Sequence, residues 1–261
     1  MEVVIPARKR HVQQALRFDG KRSRKPRRGR AKGGRPAKGP RPSERHETRA
    51  SFRKYDPQHV VIRATDDIGT LRRREMYKAV RKALVTTFTR SNFRIVHLSI
   101  QGTHIHLLVE ADDKTALSRG MQAFQISAAK HLNAGMAVRT GKARRGNVFV
   151  DRYHARIIRT PKQARNALAY VLNNWRKHRE NRNPMAREHR WQLDPFSSAP
   201  TFAGWRDIDT AAVAWPTTYE PLPVWEPKTW LLREGWKKHG LLVSTEIPSD
   251  KQPANQLVMA E

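Results

Sequence analysis

The chain has 261 residues, room for one domain of ordinary size with appended segments or for two small domains. Lysine and arginine number 52 against 23 aspartates and glutamates, a formal net charge of +29 that favours a polyanionic partner, nucleic acid first. Cysteine is absent, which excludes disulfides, thiolate zinc sites and cysteine nucleophiles together, and no apolar run is long enough to span a membrane as a helix.

The first residues, MEVVIPARKRHVQQALRFDG, lack a continuous apolar stretch and a small-residue cleavage site, so no secretory signal is expected. The expected location is cytoplasmic, associated with the nucleoid. Residues 1–54 carry 19 basic and 4 acidic side chains, so about half of the positive excess lies in this tail. From Arg17 to Pro42 the text is Gly, Pro, Arg and Lys with almost nothing apolar. Such a segment cannot bury enough surface to offset its ordering entropy and is predicted disordered. It reads either as an arm that binds phosphates through counterion release or as a solubilising tail.

The body begins near Tyr55. The β-branched, partly alternating run from His59 to Thr65 predicts a first strand. Leu71, Met76, Val80, Leu84 and Phe88 recur near helical spacing and predict a helix over 69–90. Two strands, 93–100 and 104–110, follow around the short loop Gln101-Gly102-Thr103. A second helix is predicted over 114–133, with Leu117, Met121, Phe124, Ala128 and Leu132 facing the core. A further strand is predicted from 147–150 through 156–159, interrupted around Tyr153. Thr160-Pro161 is a start signal, a cap followed by proline in the first turn, for a helix over 161–179. The order β-α-β-β-α-β-α predicts an α+β fold, a ferredoxin-like antiparallel sheet with an added C-terminal helix.

From about Asn181 the text becomes irregular. All seven tryptophans lie between Trp175 and Trp236, and six prolines between 195 and 227 interrupt helical runs. Only 229–239 reads as a helix, with Gly240 as its stop. The tryptophans could stack bases; for most of them, anchoring an irregular extension onto the domain is the preferred reading.

The residues that point to chemistry are few. His104 and His106 lie two apart on a predicted strand, so both imidazoles leave the same face. Such a pair suits a divalent cation but needs further ligands. On the last helix Leu168, Val171, Leu172 and Trp175 form one stripe. Tyr170 and Asn174 fall about 200° and 240° round from Leu168 and stack at i,i+4, on the polar side. Each residue alone reads as structural or solvated; the pair acquires meaning through the histidines.

In this order and spacing, Gly102-Thr103-His104-Ile105-His106-Leu107-Leu108-Val109, Gly146-Asn147-Val148-Phe149 with Arg152-Tyr153-His154, and Asn166 to Asn174 resemble the HUH single-tyrosine endonucleases. Within them the chain resembles the IS200-like transposases, most closely the REP-associated tyrosine transposase branch, over about residues 50–180. The resemblance implies that Tyr170 is the nucleophile and that His104, His106 and Asn174 bind Mg2+ or Mn2+. It implies cleavage of single-stranded DNA, with imperfect palindromes folded as hairpins as partners, through a 5′-phosphotyrosine. A free phenol titrates near pH ~10 and needs a proton acceptor; His154 is a candidate, and the sequence identifies none. Monomer and dimer both occur among such proteins, and the sequence does not choose.

Three regions follow: a basic arm over 1–50, a catalytic domain over 51–180 and a Trp/Pro-rich extension over 181–261. Arg72, Arg73, Arg74, Lys78, Arg81 and Lys82 are expected to cluster on the first helix and hold a stem backbone, or simply to form a solvated face. Lys162, Arg165, Arg176 and Lys177 are expected to meet the cleaved strand. The competing reading is a non-catalytic hairpin-binding protein on the same fold.

Overall fold

The computed structural model describes residues 50–188, 190–213 and 219–248. The segment predicted disordered, and Trp215 among the tryptophans, lie outside them. The elements are β1 (Gln58–Arg63), α1 (Arg74–Val85), β2 (Phe93–Ile100), β3 (His104–Ala111), α2 (Lys114–Thr140), β4 (His154–Ile157), α3 (Pro161–Lys177), α4 (Pro184–Glu188) and α5 (Trp230–Arg233). The strands form one antiparallel sheet in the order β2-β3-β1-β4, the α+β arrangement expected.

Alternation along the strands divides the sheet into two unlike faces. Val60, Ile62, Ile105, Leu107 and Val109 point to one face and join Met76, Val80, Leu84, Met121 and Phe124 from α1 and α2 in a core cluster. The other face carries His59, Val61, His104, His106 and Leu108, and α3 lies across it. In β2 a bulge between Ile95 and His97 shifts the register. Ile95 and Leu98 thereby share the α1/α2 face although three positions apart, which no strict alternation allows.

The helices depart from the expected boundaries in explicable ways. Thr87 and Phe88 lie beyond α1, in a turn where Phe88 is partly exposed and stacks on Trp225 at 4.9 Å rather than entering the core. At the other end Leu71 is buried, but it precedes the helix. Helix α2 runs seven residues past Asn133, through Gly135, and stops where Gly141 adopts φ 69°; glycine occupies that left-handed conformation without strain. The last predicted strand is reduced to β4 plus a single bridge between Ala64 and Phe149. The helix predicted over 229–239 breaks at Glu234 into α5 and a short tighter turn.

The Trp-rich segment is built into the sheet. β2 is an edge strand, yet every residue in it is buried. Ile100 N–H donates to Phe196 O, Ser198 N–H to Leu98 O and Trp225 N–H to Ile95 O, at 2.8–2.9 Å, so the segment occupies the edge. Glu110, fully buried on β3, accepts from the backbone N–H groups of Lys228 and Thr229 and from Arg94 Nε. Trp175, Trp205 and Trp236 are buried as anchors, whereas Trp230 is half exposed. Among the described residues no helix is long and apolar enough to cross a membrane.

Candidate active site

Helix α3 starts where the sequence places its signals. Thr160 caps it, accepting from Gln163 N–H, while the Gln163 side chain returns to the Thr160 backbone and Pro161 occupies the first turn. Leu168, Val171 and Leu172 pack with Trp205, Leu232, Trp236 and Leu242 of the C-terminal segment. The segment also grips α3 by polar contacts: Arg165 pairs with Glu246 through both nitrogens at 2.7 and 2.8 Å, and Asn173 Nδ2 donates to Val243 O at 2.9 Å. The helix is therefore buried over most of its second half, while Lys162 and Asn166 near its start are exposed and Tyr170 is half-buried. A helical wheel presumes one wet side; here the later part of the polar side meets the sheet instead, and Asn174 is fully buried rather than solvated.

Tyr170 sits over the histidines of β1 and β3. Its ring centroid is 5.1 Å from His106 and 5.6 Å from His59, edge-on to both. His104 and His106 are themselves edge-on at 4.7 Å, as expected for neighbours on one strand face. Lys177 Nζ lies 4.7 Å from the Tyr170 ring centre. Four positions after Asn174, His178 approaches His104 at 5.7 Å.

The electrostatics of this cluster favour neutral imidazoles. Burial, then the positive potential of His178, pushes His104 down to about 4. His59 falls to about 4 through burial, then His154 and Arg156. Burial, followed by its histidine neighbours and Lys177, holds His106 well below the ordinary histidine value. At neutral pH each ring retains a lone pair.

Three polar atoms of this cluster, His106 Nε2 and both amide atoms of Asn174, are buried without a hydrogen-bond partner, a costly arrangement unless something else satisfies them. Two imidazoles and an amide oxygen are competent donors to a divalent cation. Among the described residues no group of three or more His, Cys, Asp or Glu is arranged to hold a metal.

The expected DNA-binding residues separate into two groups. Arg73, Arg74, Lys78, Lys82 and Lys162 are exposed. Arg72 precedes α1, and its side chain is buried: it forms a fork with Asp194 at 2.8 and 3.0 Å, donates to Ile100 O and lies over the Phe196 ring. It cannot present its guanidinium to a phosphate without breaking these bonds. Arg81 pairs with Glu220, Arg165 with Glu246, and Arg176 donates to Ser244 O and Gln192 O. His154 is exposed on β4, across β1 from His106. Sequence reasoning missed His59 and His178; the signal for His59 was its parity, opposite to Val60 and Ile62 on β1.

Residues 57–174 match the model of the family described as "Transposase IS200 like". Among solved structures the chain is similar to a REP-associated tyrosine transposase bound to a REP hairpin, at 17% identity over 70% of this chain and 95% of that one, with a TM-score of 0.45. It is also similar to a protein of Deinococcus radiodurans R1 assigned as a transposase, at 13% identity over 53% and 95% of the two chains, with a TM-score of 0.32. No curated protein matches.

Proposed function

We propose that this chain, whose residues 57–174 match the IS200-like transposase family, is a metal-dependent endonuclease and strand transferase acting on single-stranded hairpin DNA. Tyr170 is the nucleophile in this reading. Its phenolic oxygen attacks the scissile phosphorus in line as the bond from phosphorus to the 3′ oxygen breaks. The phenolic proton passes to a base or water, and the departing 3′ oxygen takes up a proton. The products are a 5′-phosphotyrosine and a free 3′-OH. Attack by another 3′-OH reverses the step and joins strands, so the phosphodiester energy is conserved and no nucleotide cofactor is needed.

His104, His106 and Asn174 would hold Mg2+ or Mn2+, which would offset charge developing on the phosphate oxygens. Neutral nitrogen donors make Mn2+ the better test ion. The exposed cations Arg73, Arg74, Lys78 and Lys162 supply non-specific phosphate affinity. Supporting this assignment above all are the unpartnered His106 Nε2 and Asn174 amide, buried on the two elements that flank the Tyr170 ring.

The test is a denaturing gel of the protein with labelled single-stranded hairpins from the DNA flanking its own gene, run with Mn2+, with EDTA and with Tyr170→Phe. A slow covalent species that requires both metal and Tyr170 is expected. Tight hairpin binding with no adduct in any metal would replace the enzyme by a hairpin-binding protein.

A further inference from the structure

His59 belongs to no part of the reaction described above, yet it directly contacts one of the proposed metal ligands. It leaves β1 on the same sheet face as His106 of β3, where the register pairs His59 with Leu108 and Val61 with His106. From this diagonal position His59 Nε2 lies 3.2 Å from His106 Nδ1. The ring centroids are 5.3 Å apart with 29° between their planes, so the rings meet nearly edge to edge through these two nitrogens. Both are buried, and His59 also meets the edge of Tyr170.

We propose that His59 is the positioning residue that fixes the tautomer and rotation of His106, leaving His106 Nε2 as a bare lone pair for the metal. This rests on the metal-ligand reading of His106. A neutral imidazole has one N–H and one acceptor nitrogen, so the contact between the two rings contains one proton. When His106 Nδ1 carries it and donates to His59 Nε2, His106 Nε2 is an acceptor directed away from His59, at the atom that has no protein partner. The reverse arrangement would place an N–H at that buried position, unable to bind a cation. Outer partners of this kind, commonly a carboxylate or carbonyl, orient metal-bound histidines and raise their basicity. Here a second histidine takes that place, donated by a strand 47 residues away in sequence.

Two measurements on the full chain test this, neither needing DNA or turnover. In metal-free protein, long-range proton–nitrogen NMR of the imidazoles should show His106 as the Nδ1–H tautomer; an Nε2–H tautomer overturns the proposal. In Mn2+ titrations followed by EPR, His59→Phe, which fills the space without an acceptor, should weaken binding by roughly 10–100-fold. His59→Gln, which keeps an acceptor at the same reach, should recover most of it. Phe and Gln variants that are both folded and bind Mn2+ like the wild type would overturn the positioning role. A wild type that binds no Mn2+ but shows the Nδ1–H tautomer would overturn the metal-ligand reading while leaving the His59–His106 hydrogen bond in place.

Discussion

The two faces of the sheet are built from the same strands but obey different rules. Towards α1 and α2 the side chains are apolar and interlock as one core, with Val60, Ile62, Ile105 and Leu107 inaccessible to solvent. Towards α3 the same strands bury His59 and His106 beside Asn174, and polar atoms remain without partners. The first face contributes stability through area removed from water. On the second, groups that would rather be hydrated are kept dry by a helix that the C-terminal segment clamps from outside. Buried atoms without a hydrogen-bond partner also occur away from this face, at Gln101 Oε1 and Trp225 Nε1 for example, so what marks the site is their coincidence with His104 and the Tyr170 ring.

That contrast can be broken at its chemical end first. Tyr170→Phe should reduce covalent adduct below detection on a denaturing gel while melting temperature and hairpin retardation stay within error; persistence of the adduct would remove Tyr170 as nucleophile. Next in size is the ion pair that ties the C-terminal segment to the residues before α1. Arg72→Ala leaves Asp194 buried and unpaired and should cost ~3–5 kcal/mol in urea unfolding. Lys78→Ala, on the exposed side of α1, should stay within about 0.5 kcal/mol. Equal stability of the two would return Arg72 to the list of surface cations.

A third expectation concerns pH. His97 is buried on β2, with Nδ1 3.2 Å from Ser198 Oγ and Phe202 edge-on, and burial lowers it to about 4. Its unfolded value is 6.5, so between pH 6.5 and 4 the unfolded chain binds a proton that the folded chain does not. Its contribution is present above pH 6.5 and is lost as pH falls to about 4, amounting to roughly 3 kcal/mol. Unfolding of wild type and His97→Gln at pH 7.5 and 4.5 should show the smaller slope in the variant. A smaller loss than at Arg72 is expected at the clamp: Arg165→Ala, losing a partly exposed pair with Glu246, should cost about 1 kcal/mol by urea unfolding. It should also speed exchange of the α3 amides more than those of α2, and equal acceleration would mean that the segment does not clamp α3.

Much of the fold was legible because it is local. The Thr160-Pro161-Lys162-Gln163 cap, the β2–β3 hairpin around Gly102 and the α2 core stripe each depend on residues within a few positions of one another. The two halves of the candidate site were legible for the same reason, His104 and His106 sharing a face by the period of two and Tyr170 and Asn174 by the period of 3.6; that the halves belong together was implied by the family resemblance and not by either period. What failed to read was set by distant partners. Phe88 has helical spacing, yet it meets Trp225; Arg72 looks like a surface cation, yet Asp194 lies 122 positions away. An isolated arginine carries no mark of which carboxylate the chain will bring to it.

By itself the sequence determined the element order, the shared face of His104 and His106, the start of α3 and a net charge that favours a polyanionic partner, since periodicity, capping chemistry and charge are properties of short segments and of composition. Only the tertiary structure decided that Asn174 on the polar side of α3 is dry, that the Trp-rich segment closes the β2 edge and grips the tyrosine helix, and that His59 reaches His106. Each of these depends on which surfaces exclude water from one another, and burial is a property of the assembled chain rather than of any stretch of it.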